Sequence, residues 1–211
     1  MYLESELLKS VPGIRHGFGT RAEEWPLNFA REPWPRWRQV HGAAVAELLV
    51  QDQSCGDVDA LWTAQPETKV AVVTADCVPI LVAAADGSRV AAVHAGWRGT
   101  RARIVRALFG ALGAGDYVAA VGPAIGPCCY EVSEEIAADF AATFGAAAVP
   151  RFRHLDLPAI NAAELRAMGV ARVDVIRMCT RCTQVDSEFL FNSYRREGSG
   201  TRQYSVIGRA K

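Results

Sequence analysis

The chain has 211 residues, half of them hydrophobic, and its 23 basic side chains equal its 23 acidic ones in number. This length can bury a substantial core, and we predict a single domain over residues 1–211. The balanced charge argues against a nucleic-acid partner, and the lack of an apolar run of about 20 residues argues against a membrane partner. The first residues do not resemble a secretory signal, so we expect a cytoplasmic protein with reduced thiols.

The N-terminal part of the chain predicts short strands separated by loops. Alternating apolar and polar residues predict a strand over 11–20, and clustered proline and tryptophan indicate a loop over 21–38. Residues 36–50 are predicted as a strand that is interrupted at His41-Gly42, where the glycine indicates a bulge or a close backbone approach.

Two apolar runs rich in valine and alanine dominate residues 69–100. The turn signal Asp86-Gly87 separates them, and we predict two adjacent buried strands with Cys77 in the first and His94 in the second. Because a buried polar group costs free energy unless it is paired, these two side chains indicate a site.

Helices and strands follow one another in the rest of the chain, with polar residues or glycine at the helix ends. In order, we predict a short strand at Asp59–Thr63 before the central pair, a helix that Thr100 caps and Gly113 ends, a strand at Tyr117–Val121, a helix from Ser133 to Phe144, a helix over 155–168, and strands at Val173–Met178 and Gln203–Ile207.

Cysteine and histidine are the side chains that bind zinc or copper, and three of them plus water make a catalytic metal site. Cys77 and His94 can meet across neighbouring strands, and His41 beside its backbone irregularity is the best third ligand; His16 and His154 lie in more polar surroundings. From spacing alone, two alternatives stay open. The residues could be ordinary core side chains, or Cys77 could be a nucleophile with His94 as its base.

The remaining cysteines receive structural interpretations. We interpret Cys128-Cys129, in a Gly/Pro turn, as two buried small residues, with a redox-active pair as the alternative. Cys179 and Cys182 form a single CxxC, which is a weak zinc signal without a second ligand pair. We therefore interpret Cys179 as packing at a strand end.

Several motifs closely resemble the YfiH-like family, also called the laccase-domain or polyphenol oxidase family and, more recently, purine nucleoside phosphorylase. They are QVHG (39–42), TADCVPILV (74–82), VAAVHAGWRGT (90–100), GPAIGPCCYEV (122–132), CT (179–180) and NSYRREG (192–198). The resemblance runs from about residue 13 to the end of the chain. It implies an α+β fold in which mixed sheets pack face to face with helices outside. This four-layer α/β/β/α arrangement is similar to that of the cytotoxic-necrotizing-factor cysteine hydrolases.

The resemblance also implies that His41, Cys77 and His94 are catalytic and bind zinc, with copper as the alternative. The implied activity is phosphorolysis of adenosine, inosine and methylthioadenosine, with some adenosine deamination, by a monomer or homodimer. Amide hydrolysis of cell-wall precursors and a purely structural metal are the other readings. A multicopper oxidase mechanism is excluded, because four histidines cannot supply the roughly ten imidazoles that such copper sites need.

Phosphorolysis requires a phosphate site, and we predict one where residues 96–100 enter a helix. Backbone N–H groups at a helix N-terminus favour an anion. A guanidinium adds a bidentate clamp. The predicted phosphate ligands are Arg98, Gly99, Thr100, Arg195 and Arg196. The alternative is that the threonine merely caps a helix and the arginines are solvated.

Overall fold

A six-stranded mixed sheet lies at the centre of the structure, a computed structural model that describes residues 1–26, 29 and 33–210. In spatial order its strands are β10 (Arg172–Val175), β9 (Tyr117–Val121), β7 (Val78–Ala84), β8 (Val90–Ala95), β5 (Ala60–Thr63) and β3 (Val45–Glu47). The inner pairs are antiparallel, whereas the pairs at the two edges, β10–β9 and β3–β5, are parallel.

A second sheet is antiparallel, with the order β1 (Ile14–Phe18), β13 (Gln203–Arg209) and β6 (Lys69–Thr74). Two short pairs complete the strands: β2 (Arg36–Arg38) with β4 (Ser54–Asp57), and β11 (Gln184–Val185) with β12 (Glu188–Phe189).

One core cluster lies between the two larger sheets. Val72 and Ile207 from the antiparallel sheet pack with Leu81 and Val118 of the central sheet, and all four are fully buried. Side chains alternate between the faces of a strand, so Ile80 of β7 lies on the opposite face, in the cluster that includes the helices.

Helices cover that opposite face. They are α2 (Trp97–Arg101), α3 (Ile104–Leu112), α4 (Glu134–Phe144) and α5 (Leu157–Ala167), with a 3-10 turn at Ala146–Ala148; α1 (Glu6–Lys9) and α6 (Tyr194–Glu197) lie elsewhere. Leu108 of α3, Phe140 of α4 and Leu165 of α5 are fully buried in this cluster. Within the described residues no helix is long and apolar enough to span a bilayer. The predicted α+β class with mixed sheets packed face to face and outer helices is confirmed.

The outer face of the antiparallel sheet is covered by aromatic side chains. Trp25 packs on Ala71 and Val206, and Trp34 and Tyr204 lie against this cluster. The predicted loop of residues 21–38 includes 27, 28 and 30–32, which lie outside the described residues. Its last three residues form β2.

The central stretch contains three strands, and the prediction of two was wrong. Residues 69–74 belong to the antiparallel sheet and 78–84 to the central sheet, so Cys77 lies in the crossing between sheets. Asp76 makes this crossing with φ +92, a conformation that side chains rarely adopt. The hairpin of β7 and β8 around Asp86-Gly87, with His94 in β8, is as predicted.

The prediction that Thr100 caps a long helix was also wrong. The N-cap of α2 is Gly96, and Thr100 is buried inside this short helix, where its Oγ1 accepts a hydrogen bond from Asn161 Nδ2 at 3.0 Å. Arg103, with φ +61, separates α2 from α3. The predicted helix end at Gly113 and the cap at Ser133 are confirmed.

Candidate metal centre

Three side chains from separate parts of the chain converge at one end of the central sheet. His94 projects from β8, Cys77 lies in the crossing between sheets, and His41 lies in the loop after β2. Their ligand atoms all lie within 4.8 Å of one another, and the two imidazole centroids are 4.8 Å apart. We call these residues the His–Cys–His group.

Asp59, which the sequence analysis placed only at the start of a strand, holds this group together. Its carboxylate is fully buried and accepts hydrogen bonds from the backbone N–H groups of Val40 (3.2 Å), His41 (2.9 Å) and Gly42 (2.7 Å). Its Oδ1 also lies 2.7 Å from Nδ1 of His94. One carboxylate therefore holds the His41 backbone and the His94 imidazole. The sequence feature that could have indicated this role is a carboxylate placed directly before an apolar strand.

Asp76 fixes the cysteine in a similar way. Its Oδ1 accepts a hydrogen bond from Thr180 Oγ1 at 2.6 Å, and its Oδ2 accepts bonds from Ser193 Oγ at 3.1 Å and the N–H of Arg195 at 2.7 Å. These bonds offset the strain of its positive φ and hold the Cys77 backbone in the crossing.

Two glycines allow the backbone to approach the group closely. A Cβ on Gly96 would lie 3.0 Å from Cys77 Sγ and 3.2 Å from His41 Cδ2, and one on Gly99 would lie 2.7 Å from the carbonyl oxygen of Gly42. The GWRG segment therefore packs behind the ligands, and the absence of side chains at these two positions leaves them room.

Cys77 and His94 have shifted pKa values. Burial acts to raise the pKa of the Cys77 thiol, but hydrogen bonds with His41 and His94 outweigh it and lower the pKa to about 7. At His94 burial acts to lower the pKa, and the bonds to Asp59 and Cys77 raise it to about 9. A thiolate beside an imidazolium is thus favoured near neutral pH.

The His–Cys–His group fits a single zinc ion. Tetrahedral zinc with bonds of about 2.0–2.3 Å requires ligand atoms about 3.3–3.8 Å apart, within the observed spread. Since Asp59 holds Nδ1 of His94, Nε2 is left for the metal, which is the usual carboxylate–histidine–zinc arrangement. Three protein ligands leave a fourth position open.

A cavity of about 1020 Å³ opens over the group, and His41, Cys77 and His94 line it. Aromatic and cationic side chains form much of the remaining lining: Trp34, Trp37, Tyr130, Tyr194, Tyr204, Arg36, Arg38, Arg195 and Arg202. The volume is at the upper end of the range for small-molecule sites.

The predicted phosphate ligands are not brought together. Of the five, only Arg195 is among the described residues that line the cavity. Arg98 is exposed beside the ring of Trp97, and Gly99 and Thr100 are buried in α2. The guanidinium of Arg196 donates to the carbonyl groups of Phe191 and Arg181, which is a structural role.

The two cysteine pairs do meet, contrary to their separate interpretations. Cys128, Cys129, Cys179 and Cys182 place their sulfur atoms within 4.8 Å of one another; we call them the cysteine quartet. The prediction that Cys128-Cys129 is a buried pair was wrong, because Cys128 is exposed and Cys129 half-buried. The second ligand pair that a CxxC zinc site requires is therefore Cys128-Cys129, which lies about 50 residues before Cys179 and Cys182 in the sequence.

Residues 20–210 match the family described as multi-copper polyphenol oxidoreductase laccase. The chain therefore belongs to this family, the YfiH-like family whose motifs it carries. The purine nucleoside phosphorylase YlmD of Geobacillus stearothermophilus is 34% identical over 214 residues, which cover 90% of this chain and 76% of the relative. A purine nucleoside phosphorylase of Deinococcus radiodurans is 39% identical over 195 residues, with coverage of 86% and 72%.

Solved structures show the same fold. The crystal structure of YlmD from Geobacillus stearothermophilus superposes with a TM-score of 0.80 at 27% identity, covering 100% of this chain and 96% of that one. A Neisseria meningitidis protein gives 0.81 at 24% identity, with coverage of 100% and 99%. Together with the named relatives, these matches place the chain in a family of enzymes that includes purine nucleoside phosphorylases.

Proposed function

We propose that the protein is a zinc-dependent purine nucleoside phosphorylase. It would cleave adenosine, inosine and methylthioadenosine with phosphate to the base and ribose 1-phosphate, with adenosine deamination as a side activity. The observation that carries the proposal is the His–Cys–His group on the wall of a cavity that also presents aromatic rings and guanidinium groups. The names of the relatives agree with it.

The aromatic lining suits a purine base. Trp34 and Trp37 pack edge to face with centroids 5.4 Å apart, and Tyr130 lies beneath the guanidinium of Arg195 at 5.2 Å. Flat rings of this kind stack on a planar base and exclude water from it. Trp97, three residues after His94, packs against the core cluster that includes the helices.

The cationic lining suits phosphate. Arg195 donates from Nη1 to the carbonyl oxygen of Glu131 at 2.9 Å, which fixes its guanidinium at the cavity wall. Arg202 lines the same cavity from the segment before β13. Guanidinium groups bind phosphate oxygens through paired, charge-assisted hydrogen bonds. We therefore assign phosphate binding to Arg195 and Arg202, while the role of Arg98, Gly99, Thr100 and Arg196 stays a prediction.

Phosphorolysis forms a bond from a phosphate oxygen to C1′ of the ribose as the bond from C1′ to the purine nitrogen breaks, and the purine leaves with the electron pair. Zinc held by the His–Cys–His group would supply a Lewis acid for this charge. The arginines bring the anion to the sugar, the aromatic rings orient the base, and Asp59 holds the backbone of His41 and the imidazole of His94 in place.

The proposal is tested by incubating the zinc-loaded protein with adenosine, with and without phosphate. Ribose 1-phosphate and adenine that form only with phosphate support phosphorolysis, and inosine formation supports the deaminase activity. A Cys77→Ala variant should lose zinc and both activities. Absence of any product from the zinc-loaded protein contradicts the proposal.

A second candidate function rests on the hydrogen-bonded chain from Asp59 through His94 to Cys77. A thiolate beside an imidazole that a carboxylate orients is the arrangement of cysteine hydrolases. Such an enzyme would act on amide bonds, for example in cell-wall precursors. Because a metal on the thiolate blocks its attack, chelation should raise amide hydrolysis if this function is real, whereas chelation should abolish phosphorolysis.

A further inference from the structure

The cysteine quartet lies outside the candidate active site, at a junction of two loops. One loop is the turn from Gly126 to Tyr130, closed by hydrogen bonds from the N–H groups of Cys129 and Tyr130 to the Gly126 carbonyl, both 2.9 Å. The other is the turn that begins at Cys179, whose carbonyl accepts the N–H of Thr183 at 3.0 Å. Each loop contributes two cysteines.

The four sulfur atoms have the separations of a tetrahedral site. Zinc–sulfur bonds of about 2.3 Å place sulfur atoms about 3.8 Å apart at the corners of a tetrahedron. Cys128 Sγ and Cys182 Sγ are 3.7 Å apart, and all four lie within 4.8 Å of one another. All six cysteines are free thiols, so this proximity is not the result of disulfide bonds.

The surroundings are built for a negatively charged sulfur cluster. The N–H of Gly126 donates to Cys179 Sγ at 3.3 Å, as backbone groups do to metal-bound thiolates. The Gly126 backbone packs directly against the quartet, since a Cβ at this position would lie 3.4 Å from Cys128 Sγ and 3.9 Å from Cys179 Sγ. The guanidinium of Arg151 lies 3.5 Å from the Cys128 carbonyl, which adds positive charge beside the quartet.

We propose that the cysteine quartet is a second metal site, which binds one zinc ion and fastens the two loops together. Four thiolates at tetrahedral spacing prefer zinc and leave no open position, so this ion is structural. The loops that it joins both hold Asp76: Ile125 N–H donates to the Asp76 carbonyl at 2.9 Å, and Thr180 donates to its carboxylate. The structural ion thereby supports the crossing that positions Cys77.

The experiment is metal analysis of the whole protein, purified with reductant and without added chelator. Wild type is expected to contain two zinc ions per chain, with five sulfur ligands shared between them in X-ray absorption. Cys182→Ser and the Cys128→Ser/Cys182→Ser variant should contain one zinc ion with a single sulfur ligand, and should melt at a lower temperature. Cys77→Ala should lose the other ion, and Cys55→Ser, outside both groups, should keep two.

Equal zinc content in the wild type and the double variant would overturn the proposal. Stoichiometric iron in place of zinc would overturn it as well. Thiol titration of the unfolded, chelated wild-type protein should count all six thiols. A count of four would show a disulfide and refute the site even if the variants fail to fold. The activity of the protein enters none of these measurements. Cys182→Ser should contain one zinc ion fewer than wild type even if the His–Cys–His group holds no metal, so failure of the proposed function and failure of this site are distinguishable.

Discussion

Asp59→Asn is expected to weaken zinc binding and to destabilise the fold, although it changes only one atom. The carboxylate accepts four hydrogen bonds, two at each oxygen: His41 N–H and His94 Nδ1 at Oδ1, and Val40 N–H and Gly42 N–H at Oδ2. An asparagine oxygen can keep one of these pairs. Its NH₂ group then faces the other pair as a donor against donors.

The cost follows from the groups left without an acceptor. Two such groups cost about 1–3 kcal/mol each when they are buried. Val40 is 44% exposed, so water replaces part of the loss, and we expect the free energy of unfolding to fall by about 2–3 kcal/mol. Loss of the carboxylate behind a metal-binding histidine weakens metal affinity about 10–100-fold.

The measurements are zinc affinity by competition with a chelator and urea unfolding of the metal-free protein. Asp57→Asn is the matched control, since this carboxylate is two residues earlier, 51% exposed and paired with exposed Arg38. Because exposed ion pairs contribute little to stability, its removal should leave both the free energy of unfolding and the zinc affinity nearly unchanged. The reasoning fails if Asp59→Asn binds zinc as tightly as wild type while His94→Ala does not bind it.

Three further predictions concern other parts of the molecule. Gly96→Ala should reduce zinc occupancy because its Cβ would press on the thiolate and an imidazole, whereas Gly110→Ala, with open space around it, should keep zinc and stabilise α3 by up to about 1 kcal/mol. Equal zinc content in the two variants would contradict this. Arg202→Ala should raise KM for phosphate about tenfold, because it removes one charge-assisted hydrogen bond worth about 1.5 kcal/mol. Arg98→Ala should leave KM for phosphate unchanged. If steady-state kinetics show the reverse, phosphate binds at α2 instead. Burial lowers the pKa of His16 to about 4, and unfolded histidine titrates near 6.5, so the unfolded chain binds the proton first and stability should fall from pH 6.5 towards pH 4. Urea unfolding of wild type and His16→Gln across that range checks this, and identical pH dependence would refute it.

Local patterns predicted the elements whose contacts are near in sequence. The hairpin of β7 and β8 was accessible because apolar runs flank Asp86-Gly87, whose glycine takes φ +73 in the structure. The crossing at residues 75–77 could not be predicted, because hydrophobic periodicity does not show that an apolar run passes from one sheet to another. The strained backbone of Asp76 lies between the two strands, and its hydrogen-bond partners are more than 100 residues away in sequence.

The candidate site divides in the same way. Residue type was enough to propose Cys77, His94 and His41, because few side chains bind zinc and the chain has only four histidines. The cysteine quartet required pairing between segments 53 residues apart, Gly126 to Cys179, which no local pattern encodes. Arg202 was missed as a cavity residue for the same reason: its position depends on how the segment before β13 folds over the cavity.

Asp59 and Asp76 divide the work of holding the His–Cys–His group. Asp59 binds the histidine loop and the imidazole of β8, and Asp76 binds the loops that surround the cysteine. Asp76 also lines the cavity, and together the two aspartates fix ligands that come from separate segments of the chain. A zinc ion needs ligands held to within a few tenths of an ångström, and three side chains on separate segments cannot achieve this alone. The two buried carboxylates therefore supply the fixed positions that the three ligands need.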